Sequence, residues 1–206
     1  MKRILIPFVA LCFYTLVYAI ATGVLLPTGD GTIGSGVTDF ASGTTDLWDE
    51  INEDPDSSPV DSDGIEGPNN SGSSSFFLMA DMPGDFVTMT SLNGEIRCAL
   101  RDDPPTGPDN WDIRVHVTES DEGTPLTALP SVQPITDDQT FRNYEFTFTG
   151  VVAGDKTTWD GARMNVTMVW DQFKGMDGNA IRCSAMKMSG EYSNVAGTRS
   201  RVINIL

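Results

Sequence analysis

The sequence predicts an all-β protein: a single antiparallel β-sandwich of jelly-roll type, with about eight to nine strands and an apolar N-terminal segment. Several segments alternate apolar and polar residues with a period of two, as strands that bury one face do. The 20 Gly and 12 Pro residues in a chain of 206 favour many turns between short strands. No long helical pattern follows the N-terminal segment, and no internal repeat is visible.

The N-terminal segment has three interpretations. Lys2 and Arg3 are basic, and residues 4–21 are almost wholly apolar. Ala19-Ile20-Ala21 matches the small-x-small pattern before a signal-peptidase cut, so the mature chain of an exported protein would begin near Thr22. A membrane anchor formed by residues 4–21 is the second interpretation, because a bilayer core requires roughly 20 apolar residues. The third is an arm that docks into a partner subunit.

The remaining elements follow from alternation and from turn residues. Strands are predicted at residues 24–28, 47–51, 75–81, 86–101, 111–117, 141–149, 163–171 and 181–192. Asn93-Gly94 is predicted to form a β-bulge, because the alternation continues across it. Trp159–Ala162 is predicted to form one helical turn, capped by Thr157 or Thr158. We therefore divide the chain into the apolar segment (1–21), the sandwich (22–195) and a C-terminal tail or edge strand (196–206).

Residues 46–66, the acidic segment, contain nine acidic residues and no Lys or Arg. A stretch so rich in charge, Ser and Pro buries too little apolar surface to be core, so it is predicted to be a surface loop. The whole chain has a formal net charge of -16 and a pI of about 4.1. Such an anionic chain repels phosphate backbones, so direct nucleic-acid binding is not expected.

The acidic segment also supplies the candidate metal ligands. Asp61-Ser62-Asp63-Gly64 is a short D-x-D-G fragment, and calcium prefers several oxygen ligands. We therefore take Asp56, Asp61 and Asp63 as candidate calcium ligands, although the EF-hand pattern is not completed. The alternative is a solvated acidic loop, since charge runs usually face water. No other cofactor is expected.

Cys98 and Cys183 occur in similar contexts, each at the end of an Ile-Arg-Cys sequence. Alternation places the Ile and the Cys on one face of a strand and the Arg on the other. The two cysteines are interpreted either as small buried hydrophobic residues or, if the protein is exported, as one disulfide. Neither has the paired spacing of a zinc ligand.

No catalytic group is predicted. His116 is the single histidine. Alternation places it opposite Val115, facing solvent, and no G-x-S-x-G context surrounds any serine. Paired carboxylates could support glycoside hydrolysis, but the dense acidic residues lie in predicted loops rather than on core strands. The protein is therefore expected not to be an enzyme.

Two surface features could bear on carbohydrate. Trp48 and Trp159 lie near predicted loops and are candidate surface aromatics, whereas Trp111 and Trp170 fit the apolar faces of strands. The glycosylation patterns Asn69-Asn70-Ser71 and Asn165-Val166-Thr167 are also present. The second falls in a predicted core strand, where it would be a poor acceptor.

Several motifs occur in a recognisable order: LPTGDG at residues 26–31, DLWDEINE at 46–53, MPGDFVTMTSL at 82–92 and TTWDGAR at 157–163. Over residues 24–194 this order resembles a β-sandwich domain of structural proteins from tailed bacteriophages and related environmental viruses. The resemblance implies a non-enzymatic virion component, such as a capsid decoration or tail-surface protein. It implies no catalytic residues. Such virion proteins usually lack an apolar N-terminus, so this chain departs from the family at residues 1–21.

The expected function is therefore structural: a virion protein that forms a homo-oligomer and packs on neighbouring subunits of a shell or tail. Its arm or its C-terminal strand would engage those neighbours by β-addition. The alternative is an exported or membrane-anchored sandwich that binds carbohydrate or builds a surface filament.

Overall fold

The computed structural model confirms the all-β prediction and describes residues 17–41, 43, 45–68, 72–101, 110–128, 131–135, 139–171 and 180–195. Within these ranges the chain forms two antiparallel sheets that pack face to face. The strands are β1 (Val17–Leu25), β2 (Pro27–Asp30), β3 (Thr38–Asp39), β4 (Ile65–Glu66), β5 (Ser73–Met79), β6 (Thr88–Leu100), β7 (Asn110–Thr118), β8 (Ser131–Pro134), β9 (Arg142–Thr147), β10 (Arg163–Asp171) and β11 (Ile181–Val195).

The strand order is that of a jelly roll. One sheet, called sheet A, has the order β3-β4-β11-β6-β9, and β1 also pairs with β11. The other, sheet B, has the order β2-β5-β10-β7-β8. If β4 to β11 are counted as strands one to eight, sheet A contains 1-8-3-6 and sheet B contains 2-7-4-5. This double Greek-key order matches the predicted fold class.

The core lies between the sheets and is built by period-two alternation. On β7 the inward side chains Ile113, Val115 and Val117 are each 0 % exposed. On β6 the inward set is Ile96, Cys98 and Leu100. Glu95 and Arg97 therefore point outward from sheet A, because successive side chains of a strand face opposite sides.

Cys98 and Cys183 meet as direct cross-strand partners on β6 and β11 and form a disulfide. Both are fully buried. The structure therefore favours the disulfide over the interpretation as two separate buried thiols.

The predicted strand at 47–51 is wrong, since Leu47–Glu50 forms a 3-10 helix. The two aliphatic residues of this segment, Leu47 and Ile51, are buried and four positions apart. That spacing fits a helical turn as well as a strand. The carboxylate of Asp30 accepts hydrogen bonds from the N–H groups of Leu47 and Trp48, which satisfies the first donors of the turn. A second 3-10 helix follows at Pro55–Ser57.

Two finer predictions also need correction. The pairing of β6 with β11 runs without a shift through Asn93 and Gly94; the shifts occur at Ser184 of β11 and Thr90 of β6. Gly94 has a packing reason instead, because a Cβ there would lie 2.9 Å from the Phe148 ring. The short helix is Lys156–Trp159, and Asp155 rather than a threonine caps it, by accepting from the N–H of Thr158.

The N-terminal boundary falls inside a strand. β1 begins at Val17 and pairs with β11 from Val17↔Val195 to Leu25↔Met188, with a shift between Ala21 and Val24. Residues 17–21, which the sequence assigns to the apolar segment, thus extend sheet A. The tail at 196–206 lies outside the described residues. Among the residues that the structure describes, no helix is long and apolar enough to cross a membrane.

Candidate functional site

The outer face of sheet A has two halves, and the acidic segment covers one of them. β4, at the end of this segment, pairs with the start of β11. Farther along β11, the N–H of Met186 donates to the carbonyl of Ile51 at 3.0 Å. The segment therefore lies against the edge and outer face of the sheet instead of projecting into water.

Ion pairs fix this arrangement. Asp61 accepts two hydrogen bonds from Arg97, Nε to Oδ1 at 2.7 Å and Nη2 to Oδ2 at 2.6 Å. The Ser184 hydroxyl donates to the same carboxylate at 2.8 Å. The hydrogen bonds from Arg97 are the main reason that the pKa of Asp61 lies below its ordinary value. Glu66 pairs with two arginines, with Arg101 through Oε1 and with Arg182 through Oε2.

Lys187 pairs with three carboxylates at once. Its Nζ lies 2.9 Å from Asp54 Oδ1 and 3.1 Å from Glu95 Oε2, and it also binds Asp56. Burial by itself lowers the pKa of Lys187, but the hydrogen bonds to the three carboxylates outweigh that effect and raise it. Lys187 and Glu95 are only 7 % and 9 % exposed. This cluster marks the boundary between the covered half of the outer face and the open half.

The open half is built from three rows of outward side chains that the strand register brings together. The first row is Glu145, Glu95 and Lys187. The second row is Thr147, Asn93, Ser189 and Val24. The third row is Ser91, Glu191 and Ala21. Neighbouring strands lie about 4.8 Å apart and alternate residues of a strand about 6.8 Å apart, so the rows form a continuous surface that is polar except at Val24 and Ala21 on β1.

This surface is concave, and we call it the polar groove. One depression of about 310 Å³ is lined by Asp56, Asn93, Gly94, Glu95, Glu145, Phe146, Thr147, Lys187 and Ser189. A second of about 400 Å³ is lined by Ala21, Gly23, Val24, Ser91, Asn93, Ser189, Gly190 and Glu191. Asn93 and Ser189 line both depressions, which therefore adjoin. The groove offers carboxylates, hydroxyls and an amide to a ligand that can both donate and accept hydrogen bonds.

The predicted calcium ligands do not meet at one site. Asp61 is held by Arg97, and Asp56 is held by Lys187. Asp63 lies instead with Asp39 and Glu50, and carboxylate oxygens of these three fall within 4.8 Å of one another. The D-x-D-G pattern groups neighbours along the chain, whereas in the fold Asp61 turns toward Arg97 of β6 and Asp56 toward Lys187 of β11. Calcium binding stays a prediction.

The other predicted site residues are structural. Trp159 is fully buried, contrary to the prediction of a surface aromatic, and Trp48 is half-buried against the core. The side chain of Trp170 lies outside the described residues. None of the aromatic side chains that the structure describes is exposed. His116 is half-buried edge-on to Phe76, and burial lowers its pKa.

The glycosylation patterns do not add a site. Asn165 is 0 % exposed, and its amide donates to the Ser74 hydroxyl at 2.7 Å, so it is a poor acceptor as the sequence predicts. Asn69-Asn70-Ser71 lies outside the described residues.

The polar groove has no motif in the sequence. The polar residues of its three rows are isolated positions on β6, β9 and β11. The sequence feature that indicates a polar outer face here is the alternation of β6, which places Ser91, Asn93 and Glu95 on one face, opposite Leu92 and Ile96.

No protein-family model and no curated protein matches the chain. Among solved structures, it is similar to the xylan-binding module CBM15, with a TM-score of 0.40 and 13% identity over 86% of this chain and 97% of that chain. A second is TmCBM61 in complex with β-1,4-galactotriose, with a TM-score of 0.37 and 7% identity over 84% and 86% of the two chains. A third is a mutant xylanase 10C from Cellvibrio japonicus in complex with xylopentaose, with a TM-score of 0.39 and 15% identity over 78% of this chain and 28% of that chain. At these TM-scores the similarities carry no argument about what this chain binds.

Proposed function

We propose that the protein is an exported, non-enzymatic β-sandwich that binds carbohydrate in the polar groove. The observation that carries the proposal is the set of three outward rows across β9, β6, β11 and β1. A glycan presents many hydroxyls that donate and accept, and the groove matches them with side chains of both kinds. Because the side chains stand on paired strands, the backbone beneath them is ordered before a ligand arrives, which reduces the ordering cost of binding.

Export is supported by the buried disulfide between Cys98 and Cys183. Disulfides form and persist in oxidising compartments and are rare in the cytosol. The basic start and the apolar residues 4–16, which precede β1, are of the kind and length found in the n- and h-regions of secretory signals.

A glycan array with purified protein tests the proposal, with Asn93→Ala and Thr147→Ala as groove variants. Binding that falls at least tenfold in both variants is the expected result, because each loses a hydrogen-bonding group of the second row. Thr157→Ala is the matched control, since Thr157 is exposed on the short helix and lies outside the groove. A blank array with folded protein would refute the proposal.

The same glycans also test the proposal that the protein binds carbohydrate without hydrolysing it. Glu95 and Glu145 are direct cross-strand partners, an arrangement that brings two carboxylates near each other as glycosidases do. Glu95 is already engaged by Lys187. We therefore expect no release of reducing ends when the bound glycan is incubated with the protein, and release that disappears in Glu145→Gln would make the protein an enzyme.

The virion function stays a prediction from the sequence resemblance. Formation of a homo-oligomer and packing on shell or tail subunits stay predictions with it. Mass spectrometry of purified virus particles tests it directly. A virion component is expected at high copy number, and absence from the particles would leave the exported protein as the remaining hypothesis.

A further inference from the structure

We propose that the polar groove selects uncharged or amine-bearing glycans and excludes anionic ones, with Glu145 and Glu191 as the residues that determine this specificity. The inference rests on the proposed carbohydrate function and names the ligand class of that same site. It follows from the charges that line the groove and from which of them are already paired.

Among its described lining residues, the groove has no unpaired cation to offer an anionic sugar. Lys187 is the single Lys or Arg that lines either depression in the described part of the chain. Its Nζ is already bound by Asp54, Asp56 and Glu95. A uronate or sulfate would therefore have to break an existing ion pair to reach it, which leaves a carboxylate unpaired.

The next outward cation along β6 is equally engaged. Arg97 lies two residues beyond Glu95, so it belongs to the same face of the strand. Both of its contacts with Asp61 are shorter than 2.8 Å, and Nη1 donates to Asn143 Oδ1 at 3.0 Å. This guanidinium is a structural clamp on the acidic segment rather than a ligand-binding group.

The carboxylates of the groove face the ligand instead. Glu145 stands on β9 in the first row and Glu191 on β11 in the third, and both residues are exposed. Neither carboxylate forms an ion pair within the described residues. A ligand that spans the rows passes both, so an anionic glycan meets like charge twice, whereas a hydroxyl or an ammonium group can donate to each carboxylate.

Binding of three classes of β-1,4-linked hexasaccharide on the array separates the outcomes: neutral hexose, glucosamine and uronate. For the wild type, we expect signals with the neutral or glucosamine class that exceed the uronate signal at least tenfold at low salt. An array blank for every glycan would refute carbohydrate binding as a whole. Uronate binding as strong as neutral binding would overturn the charge selection alone and leave the carbohydrate function standing.

The double variant Glu145→Gln/Glu191→Gln then tests the assignment to these residues. Both changes remove charge and keep size, and both positions are exposed, so thermal unfolding verifies that the variant is folded. The preference for neutral over uronate glycans should fall about tenfold. Glu119→Gln, the same change in the turn after β7, should leave the preference as in the wild type. A double variant that keeps the full preference would overturn the role of Glu145 and Glu191.

Discussion

Lys187 joins the acidic segment to sheet A by ion pairs with three carboxylates. Asp54 and Asp56 come from the acidic segment, whereas Glu95 comes from β6. Glu95 is 9 % exposed, so its carboxylate depends on Lys187 for compensation of its burial. Lys187 thus helps to hold the covered half of the outer face in place and forms one end of the polar groove.

We expect Lys187→Met to lower the free energy of unfolding by about 3 kcal/mol, because removal of one partner leaves a buried carboxylate uncompensated. Urea unfolding of the variant and the wild type measures the difference. Lys187→Met combined with Glu95→Gln should recover part of the loss, since the amide carries no charge to compensate. A double variant less stable than the single one would show that the loss comes from packing rather than charge.

At the level of elements, β1 completes sheet A beside β11. Ala21 is exposed and Thr22 is buried, and the register shifts between Ala21 and Val24. The predicted signal-peptidase cut after Ala21 would therefore divide the strand and uncover the edge of β11 from Glu191 to Val195. A cut after Ala21 and formation of the full strand are mutually exclusive.

A chain that starts at Thr22 is expected to be less stable than one that starts at Val17 by about 3 kcal/mol. It loses the five cross-strand partners from Val17↔Val195 to Ala21↔Glu191, and a backbone hydrogen bond contributes about 1 kcal/mol net. Thermal unfolding of the two purified chains measures the difference. Equal midpoints would show that residues 17–21 add nothing to the sandwich, and that processing at Ala21 leaves the fold intact.

The sequence predicted the elements whose alternation is strong and whose length exceeds a single turn. Ile113, Val115 and Val117 on β7 are the clearest case, because their spacing fits a strand and no helix. Leu47 and Ile51 show why the 3-10 helix was missed: five residues with an apolar residue at each end fit a strand and a helical turn alike. The Asp30 carboxylate decided the outcome from another part of the chain.

The polar groove could not be predicted, because each of its rows joins residues that are distant along the chain. Asn93 meets Thr147 and Ser189 only through the pairing of β6 with β9 and β11. A shift of one residue in either register would turn these side chains to the other face. The sequence determines which residues of one strand share a face, but the juxtaposition of strands depends on packing of the whole core.

At the level of the whole molecule, the disulfide joins the two strands at the centre of sheet A. Cys98 on β6 and Cys183 on β11 are separated by 85 residues. The chain between them contains β7, β8 and β10, which form most of sheet B, and β9 of sheet A. One covalent link thus restricts the segment that carries most of the second layer, even though the two cysteines lie in the first.

Closing a loop of this length should stabilise the fold by about 4 kcal/mol through the lost freedom of the unfolded chain. We expect Cys98→Ala/Cys183→Ala to lower the free energy of unfolding by about that amount in urea, with the far-ultraviolet spectrum of a β protein retained. The reductant dithiothreitol should destabilise the wild type and leave the double variant as it was. A wild type that is indifferent to reductant, with both thiols titratable after unfolding, would show that the bond is not formed and would remove the main support for export.

The groove residues lie on the same two strands as the disulfide, so the disulfide could affect glycan binding as well as stability. Glycan binding by the oxidised wild type and by the double variant, measured at a temperature where both are folded, tests this. Equal affinity is expected, since the disulfide faces the core and the groove lies on the opposite side of the sheet.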